Sequence, residues 1–245
     1  MTIVKPYSGS TKGKKQQVAE MFDNIAPKYD FLNHFLSFGI DKIWRRKAIK
    51  LLMKHSPKVI LDVATGTGDF AIASLKTGAQ KVVGIDISAE MLAVGKDKIE
   101  KMGLSEYISL QKGDSEELVF PDNSFDAVTV AFGIRNFENL SAGLDEINRV
   151  LKTDGVVCIL EFSKPRYFPV KQVYSFYSFY ILPFLGRIFS KDNSAYRYLP
   201  ESVENFPDGE ELLNLLKDSN FVQVRQYRQT FGVATIYIGI KPSFS

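Results

Sequence analysis

Between residues 58 and 163 the chain switches repeatedly between two hydrophobic patterns. Short runs of aliphatic and β-branched residues near 58–63, 81–85, 107–111, 125–130 and 155–160 predict strands. Between them, apolar residues that return every three or four positions predict helices near 68–77, 88–102 and 138–151. In the last of these, Leu140, Leu144, Ile147 and Leu151 make one stripe. The strands read as runs rather than as strict alternations, which implies burial on both faces: an α/β fold with a parallel sheet covered by helices. After the fifth strand the rhythm breaks. Residues 164–200 are rich in aromatics and prolines, a helix follows near 208–218, and the runs FVQVRQYRQT and VATIYIGIKP flank the turn Thr230-Phe231-Gly232 as a hairpin at the end of the sheet.

Two helices are predicted ahead of the core. Val18, Met21, Phe22, Ile25 and Tyr29 recur at helical spacing, and Pro27 ends or kinks that helix. Over residues 40–54, Ile40, Trp44, Leu51 and Leu52 share one face, and Lys42, Arg45, Arg46, Lys50 and Lys54 the other, a basic side turned to solvent or to anionic lipid. The expected organisation is one domain over 1–245: a helical cap at 14–56, a cofactor-binding core at 57–163, an aromatic segment at 164–200 that serves as a lid over the substrate, and a terminal helix and hairpin at 201–245. No internal repeat is visible.

Composition narrows the classes. With 245 residues, 45% hydrophobic and 24% charged, the chain is an ordinary globular one with a substantial core. A net charge of +3 is too small to argue for nucleic acid. Cys158, the only cysteine, lies in the apolar run VVCILEF and reads as a small buried hydrophobe; no intrachain disulfide can form, which fits a reducing cytoplasm. The two histidines, His34 and His55, have no Cys/His cluster around them, so no metal site is expected. The N-terminus lacks the apolar core of a signal peptide, and no uncharged stretch reaches the roughly 20 residues of a spanning helix.

The chemistry concentrates in LDVATGTGDF, residues 61–70. A buried strand runs into Gly66-Thr67-Gly68, where small residues let a ligand approach the backbone. Asp62 lies inside the strand, where a carboxylate needs a partner. The next strand ends on Asp86, placed to accept hydrogen bonds from ribose hydroxyls. The third ends on Asp114 and Ser115. Gly66 to Ala71 also satisfies G-x-G-x-x-A, the dinucleotide fingerprint, so a nicotinamide-dependent oxidoreductase remains an alternative. Asp69 at the start of the following helix would repel a pyrophosphate seated there, which argues against a dinucleotide.

Asp62, Gly66 and Gly68 form D-x-x-x-G-x-G, which resembles motif I of the class I S-adenosylmethionine-dependent methyltransferases. The resemblance implies their seven-stranded Rossmann-like sheet ending in an antiparallel pair, with the loop around the methionine end, Asp86 on the ribose, and Asp114 and Ser115 at the adenine. YDFLNHFLSFGIDKIW (29–44), AFGIRN (131–136) and RVLKTDGVVCILEFS (149–163) narrow it further: they resemble the quinone-biosynthesis C-methyltransferases, over residues 17 to 240. That family methylates demethylmenaquinol to menaquinol, and close relatives act on a polyprenyl methoxybenzoquinol on the way to ubiquinone. The resemblance carries the cofactor contacts onto Thr67, Asp86, Asp114 and Ser115. The chain departs from the family pattern at Asp41, usually histidine, at Thr153-Asp154, usually Pro-Gly, and at Ala131, often serine. The first two read as surface or turn changes; the third could alter a contact near the cofactor.

Methylation of a ring carbon needs an electron-rich carbon in line with a sulfonium methyl, and a quinol becomes electron-rich when a hydroxyl loses its proton. Arg135 and Asn136 follow the fourth strand, so they project at the carboxyl end of the sheet and are the candidates for stabilising the ring anion. A structural pairing of Arg135 with Asp126 or Glu161 is the competing reading. Tyr174, Tyr177 and Tyr180 are spaced three apart beside Phe176 and Phe179, as core or as a lid whose hydroxyl reaches the ring oxygen; the spacing does not choose among the three, and Tyr177 stands as the candidate. Residues 173–186 carry no charge and are flanked by Lys164, Arg166 and Lys171 and by Arg187 and Lys191, which suits a membrane-surface element. The expected partners are therefore a prenylated quinol and, transiently, the inner face of the membrane, with no nucleic acid; a homodimer is compatible with this reading.

Overall fold

The computed structural model describes residues 4–7, 9–31, 37, 39–181, 184 and 194–243. Its centre is a seven-stranded sheet in the order β3-β2-β1-β4-β5-β7-β6. Strands β1 (Val59–Val63), β2 (Lys81–Asp86), β3 (Ile108–Lys112), β4 (Phe125–Ala131) and β5 (Leu151–Phe162) run parallel. β7 (Ala234–Ile240) is antiparallel to β5 and to β6 (Val222–Gln229), with the predicted turn at Thr230–Gly232 between the last two.

Strand periodicity divides the core. Leu61, Val63, Val83, Ile85, Val128, Val130, Val157 and Ile159 point to one face, where Leu144 and Ile147 of α5 (Leu140–Val150) and Leu212 and Leu216 of α8 (Glu210–Asp218) cover them. Ile60, Val82, Ala127, Val156, Cys158 and Leu160 point to the other, under Trp44, Ala48 and Leu52 of α2 (Ile40–Leu52) and Phe70 of α3 (Asp69–Ser74). Burial pushes the Cys158 thiol up to about 12, so it is an inert hydrophobe. The helix α4 (Ala89–Lys101) covers β2 and β3, its N-terminus capped by the Ser88 hydroxyl accepting from Met91 N–H.

A third cluster forms apart from these two. Val18, Met21 and Ile25 of α1 (Lys14–Ile25) pack against Ala195, Tyr196 and Tyr198 of α7 (Ser194–Asn205). Pro27 follows in a 3-10 turn, Ala26–Lys28, which ends α1 as its missing N–H dictates. α6 (Val170–Phe176) passes into a π-turn at Tyr177–Ile181. Residues 32–36 and 38 of the YDFLNHFLSFG stretch, including His34, and residues 182, 183, 185, 186, 187 and 191 around the uncharged segment lie outside the described residues.

Two expectations change. β5 is longer than 155–160: Phe125 pairs with Leu151 and Ala127 with Val156, so residues 152–155 bulge opposite Asp126 and the strand resumes beyond them. The polar Lys152-Thr153-Asp154-Gly155 conceals that continuity, with Asp154 at φ +61 in the bulge. On α2 the basic face loses a member. Lys42, Arg46, Lys50 and Lys54 are exposed, but the Arg45 side chain is only 13% exposed and folds inward beside Asp41, one turn earlier. Ala48 and Ile49, rather than Leu51, complete the buried face.

Candidate active site

The sheet order reverses direction between β1 and β4. The chain leaves β1 towards β2 on one side and returns to β4 on the other, so a crevice opens at the carboxyl ends of these two strands. Two loops form its floor. In the first, Gly66 (φ +56) and Gly68 (φ +81) hold left-handed conformations that turn the chain sharply into α3. In the second, Gly133 sits so close to the first that a Cβ there would lie 2.5 Å from the Ala64 Cβ.

Beneath the first loop, the buried Asp62 carboxylate accepts from the Thr65 and Thr129 hydroxyls, both at 2.6 Å, and burial raises it to about 6. It braces the loop against β4 rather than facing the crevice. Asp86 does face the crevice. It accepts from the Gly66 amide at 2.8 Å and the Ser88 amide at 2.9 Å, and burial lifts it to about 6. Asp114 accepts from the Glu116 amide at 2.9 Å and from Lys15 of α1 at 2.5 Å. The Thr67 hydroxyl is buried and donates to Asp30 at 2.5 Å, while Lys98 ties Asp30 and Asp69 together at 2.5 and 2.8 Å. Of the sequence candidates, Gly66, Asp86, Asp114, Ser115 and Asn136 therefore line one cavity, with Ala131 and Ile87; Asp62, Thr67 and Gly68 shape the loop from behind it.

A second cavity, of about 280 Å³, adjoins the first, and Phe22, Tyr29 and Phe132 belong to the walls of both. Its lining is aromatic and aliphatic: Met21, Ile25, Trp44, Phe162, Tyr174, Tyr177, Tyr196 and Tyr198. Among the described residues only a few polar side chains reach it, including Asp41, Arg45, Arg135 and Thr230. An apolar cleft with few convergent polar groups is the usual form of a small-molecule site.

Arg135 finds its partner in Glu161. Its Nη1 donates to the fully buried Glu161 Oε1 at 2.7 Å and to the Phe132 carbonyl, and its guanidinium lies 5.5 Å from the Phe162 ring centre. Asp126, the other anticipated partner, instead accepts from the Lys58 and Val59 amides and from Lys152. The ion pair does not remove Arg135 from the cavity; it fixes the guanidinium at its wall. Asn136 Oδ1 accepts from the Tyr198 hydroxyl at 3.1 Å. Burial raises that phenol to about 12, so it stays protonated. The three tyrosines separate: Tyr174 and Tyr177 line the cavity, whereas Tyr180 stacks on Phe176 at 5.4 Å on the outside.

Tyr198, Trp44, Asp41 and Arg45 were not singled out by the sequence as site residues. Asp41, expected at the surface, is 4% exposed and lines the apolar cavity, accepting from Ser37 Oγ at 2.7 Å. The acid–base pair at i,i+4 around Trp44 was the available clue. For Tyr198 no local pattern exists, because its role follows from α7 packing on α1.

A parallel sheet with this reversal, closed by an antiparallel β7 and carrying an acid at the end of β2 beside a glycine turn, is a class I methyltransferase fold. The model of the ubiE/COQ5 methyltransferase family matches residues 10–241, and the chain belongs to that family. It is 53% identical over 239 residues to the demethylmenaquinone methyltransferase of Bacteroides fragilis, covering 97% of each chain. It is 46% identical over 230 residues to the ubiquinone/menaquinone biosynthesis C-methyltransferase UbiE of Geotalea uraniireducens, covering 93% of this chain and 97% of that one. The fold is similar to that of a SAM-dependent methyltransferase from Thermotoga maritima, with a TM-score of 0.62 and 18% identity over 91% of this chain and 99% of that one. Family membership decides between the two readings of the glycine turn: the chain is a methyltransferase.

Proposed function

We propose that this chain moves a methyl group from S-adenosylmethionine to a ring carbon of demethylmenaquinol, giving menaquinol. The observation that carries this is the shared wall: a polar cavity edged by Asp86, Asp114 and Ser115 meets an aromatic-lined cavity across Phe22, Tyr29 and Phe132. The names of the 53%-identical and 46%-identical relatives support the substrate.

The residues fit the donor. Asp86 offers carboxylate oxygens for ribose hydroxyls, Asp114 and Ser115 lie where an adenine edge would be read, and the Gly66 backbone is bare enough for close approach. When bound, the donor supplies an electrophilic sulfonium methyl. The protein's own task is to position the flat ring and to favour its anion. The aromatic walls orient the ring, and orientation can contribute roughly 7–11 kcal/mol to such a step. Arg135, held at the cavity wall by Glu161, is the group placed to stabilise negative charge on the oxygen next to the reacting carbon. An arginine does not serve as the base. The hydroxyl proton leaves to water.

A prenylated substrate resides in the bilayer, so the enzyme meets it at the membrane surface. Support comes from α6 and its π-turn: Tyr174, Tyr177 and Ser178 line the cavity while Phe168, Phe176, Phe179 and Tyr180 point outward, with Lys164, Arg166 and Lys171 alongside. One element thus carries both the cavity wall and the exposed apolar patch. Among the described residues no helix is long and apolar enough to cross a membrane. The test of function is single-turnover methylation of short-tailed naphthoquinol and methoxybenzoquinol, each reduced and oxidised. Methylation of the reduced naphthoquinol is expected; equal activity on the oxidised ring would refute the mechanism, and preference for the benzoquinol would reassign the substrate.

A further inference from the structure

The aromatic floor of the substrate cavity carries two guanidinium groups in parallel arrangements. Phe132 and Phe162 lie with ring centres 4.6 Å apart; Arg135 sits 5.5 Å from the Phe162 ring and Arg45 sits 5.5 Å from the Phe132 ring. Each has a buried carboxylate: Glu161 at 2.7 Å from Arg135, and Asp41 at 3.6 Å from Arg45. Each also has a buried Nε that makes no hydrogen bond among the described residues. The Glu161–Arg135 pair is accounted for by the charge that develops on one ring oxygen. The Asp41–Arg45 pair is not. A desolvated ion pair is costly and weak evidence for stability, and this one occupies the wall of a largely aromatic cavity.

The two pairs differ in the direction that matters. Glu161 meets Arg135, the Arg135 amide and the Phe162 amide and does not line the cavity, whereas Asp41 does. A carboxylate accepts hydrogen bonds and offers none. The ring substrate has two oxygens across the ring from each other. In the reduced ring both are hydroxyl donors; in the oxidised ring both are carbonyl acceptors. A carboxylate facing the second oxygen gains a charge-assisted hydrogen bond from the reduced ring and meets a repelling oxygen in the oxidised one.

Resting on the quinol reading of the cavity, we propose that Asp41, steadied by Ser37 and Arg45, accepts the hydroxyl across the ring from the one at Arg135 and so makes the site select reduced over oxidised rings. The probe is a short-tailed 1,4-naphthoquinol and its quinone, titrated anaerobically against the quenching of Trp44, the single tryptophan, which lines the same cavity. The wild type is expected to bind the reduced ring at least about tenfold more tightly. In Asp41→Asn, whose amide can donate to a carbonyl, that preference should collapse to within about threefold, with cofactor affinity unchanged. A preference retained in Asp41→Asn overturns the proposal, as does a wild type that binds both forms alike. If Asp41→Asn does not fold, Ser37→Ala decides: it removes the 2.7 Å hydrogen bond that orients the Asp41 carboxylate, so the reduced-over-oxidised ratio should fall, and an unchanged ratio overturns the proposal. A wild type that binds neither ring, yet binds S-adenosylmethionine, refutes the quinol reading itself, an outcome separate from a retained preference.

Discussion

Removing Arg135 perturbs two things at once, and the structure says how to separate them. Arg135→Ala deletes a guanidinium that faces the substrate cavity, but it also strands Glu161, which is fully buried. Truncating one member of a buried pair costs about 3–5 kcal/mol, because the other charge is left without compensation. The amides of Arg135 and Phe162 still donate to Glu161, at 3.3 and 2.8 Å, which places the loss at the lower end of that range. For a chain of this length about 3 kcal/mol corresponds to a melting-point drop of roughly 6–12 °C. Neutralising the stranded acid in Arg135→Ala/Glu161→Gln should recover most of that drop. Turnover should not recover. Loss of a preorganised group at a developing oxyanion lowers kcat by about 10²–10³, and the double variant still lacks it. Calorimetry and single-turnover methylation of the reduced naphthoquinol, run on wild type, single and double variants, give the two readouts. Cofactor affinity, measured separately, should stay near wild type in both. The reasoning fails if the double variant regains turnover along with stability, since Arg135 would then only be neutralising Glu161. It also fails if cofactor binding collapses in either variant.

Other expectations follow from the same geometry. Burial lifts Asp86 to about 6 from 3.8, so S-adenosylmethionine affinity should fall as pH drops below 6, approaching tenfold per pH unit, read by calorimetric titration. That loss is not unfolding: the folded carboxyl takes its proton before the unfolded one does, so between pH 6 and 4 its contribution to stability rises as pH falls. Tyr198→Phe removes the hydroxyl donated to Asn136 and should cost about 1 kcal/mol, a kcat decrease of several-fold, while Tyr180→Phe, on the outside, leaves kcat unchanged. Polar replacement of Phe176, Phe179 and Phe184 should abolish flotation with anionic liposomes while leaving methylation of a tail-less quinol intact; unchanged flotation would place the membrane contact elsewhere.

The parallel core was legible because its signal is local. Leu61 and Val63 against Ile60 on β1, the glycine turn, and the acids closing β2 and β3 each declare themselves within a few residues. The bulge in β5 was not, since its polar residues 152–155 interrupt the apolar run although the strand continues on both sides. The polar cavity proposed for the donor was likewise legible at the strand ends. The acceptor side was not, because it is assembled from elements far apart in the chain: Trp44 and Arg45 from α2, Phe132 and Arg135 after β4, Phe162 at the end of β5, and Tyr198 from α7. Arg45 shows why periodicity misleads there. Helical spacing places it with the exposed lysines of α2, and only the aromatic ring of Phe132 and the acid at position 41 give it a reason to turn inward.

Phe22, Tyr29 and Phe132 form a partition with two tenants, and that limits how the enzyme can be re-engineered. Trimming any of the three to admit a bulkier acceptor also enlarges the compartment next door, the one proposed for the donor, and lets solvent in between the two. Acceptor scope is therefore more safely broadened at Tyr196 or Val203, which border the aromatic compartment and not the polar one.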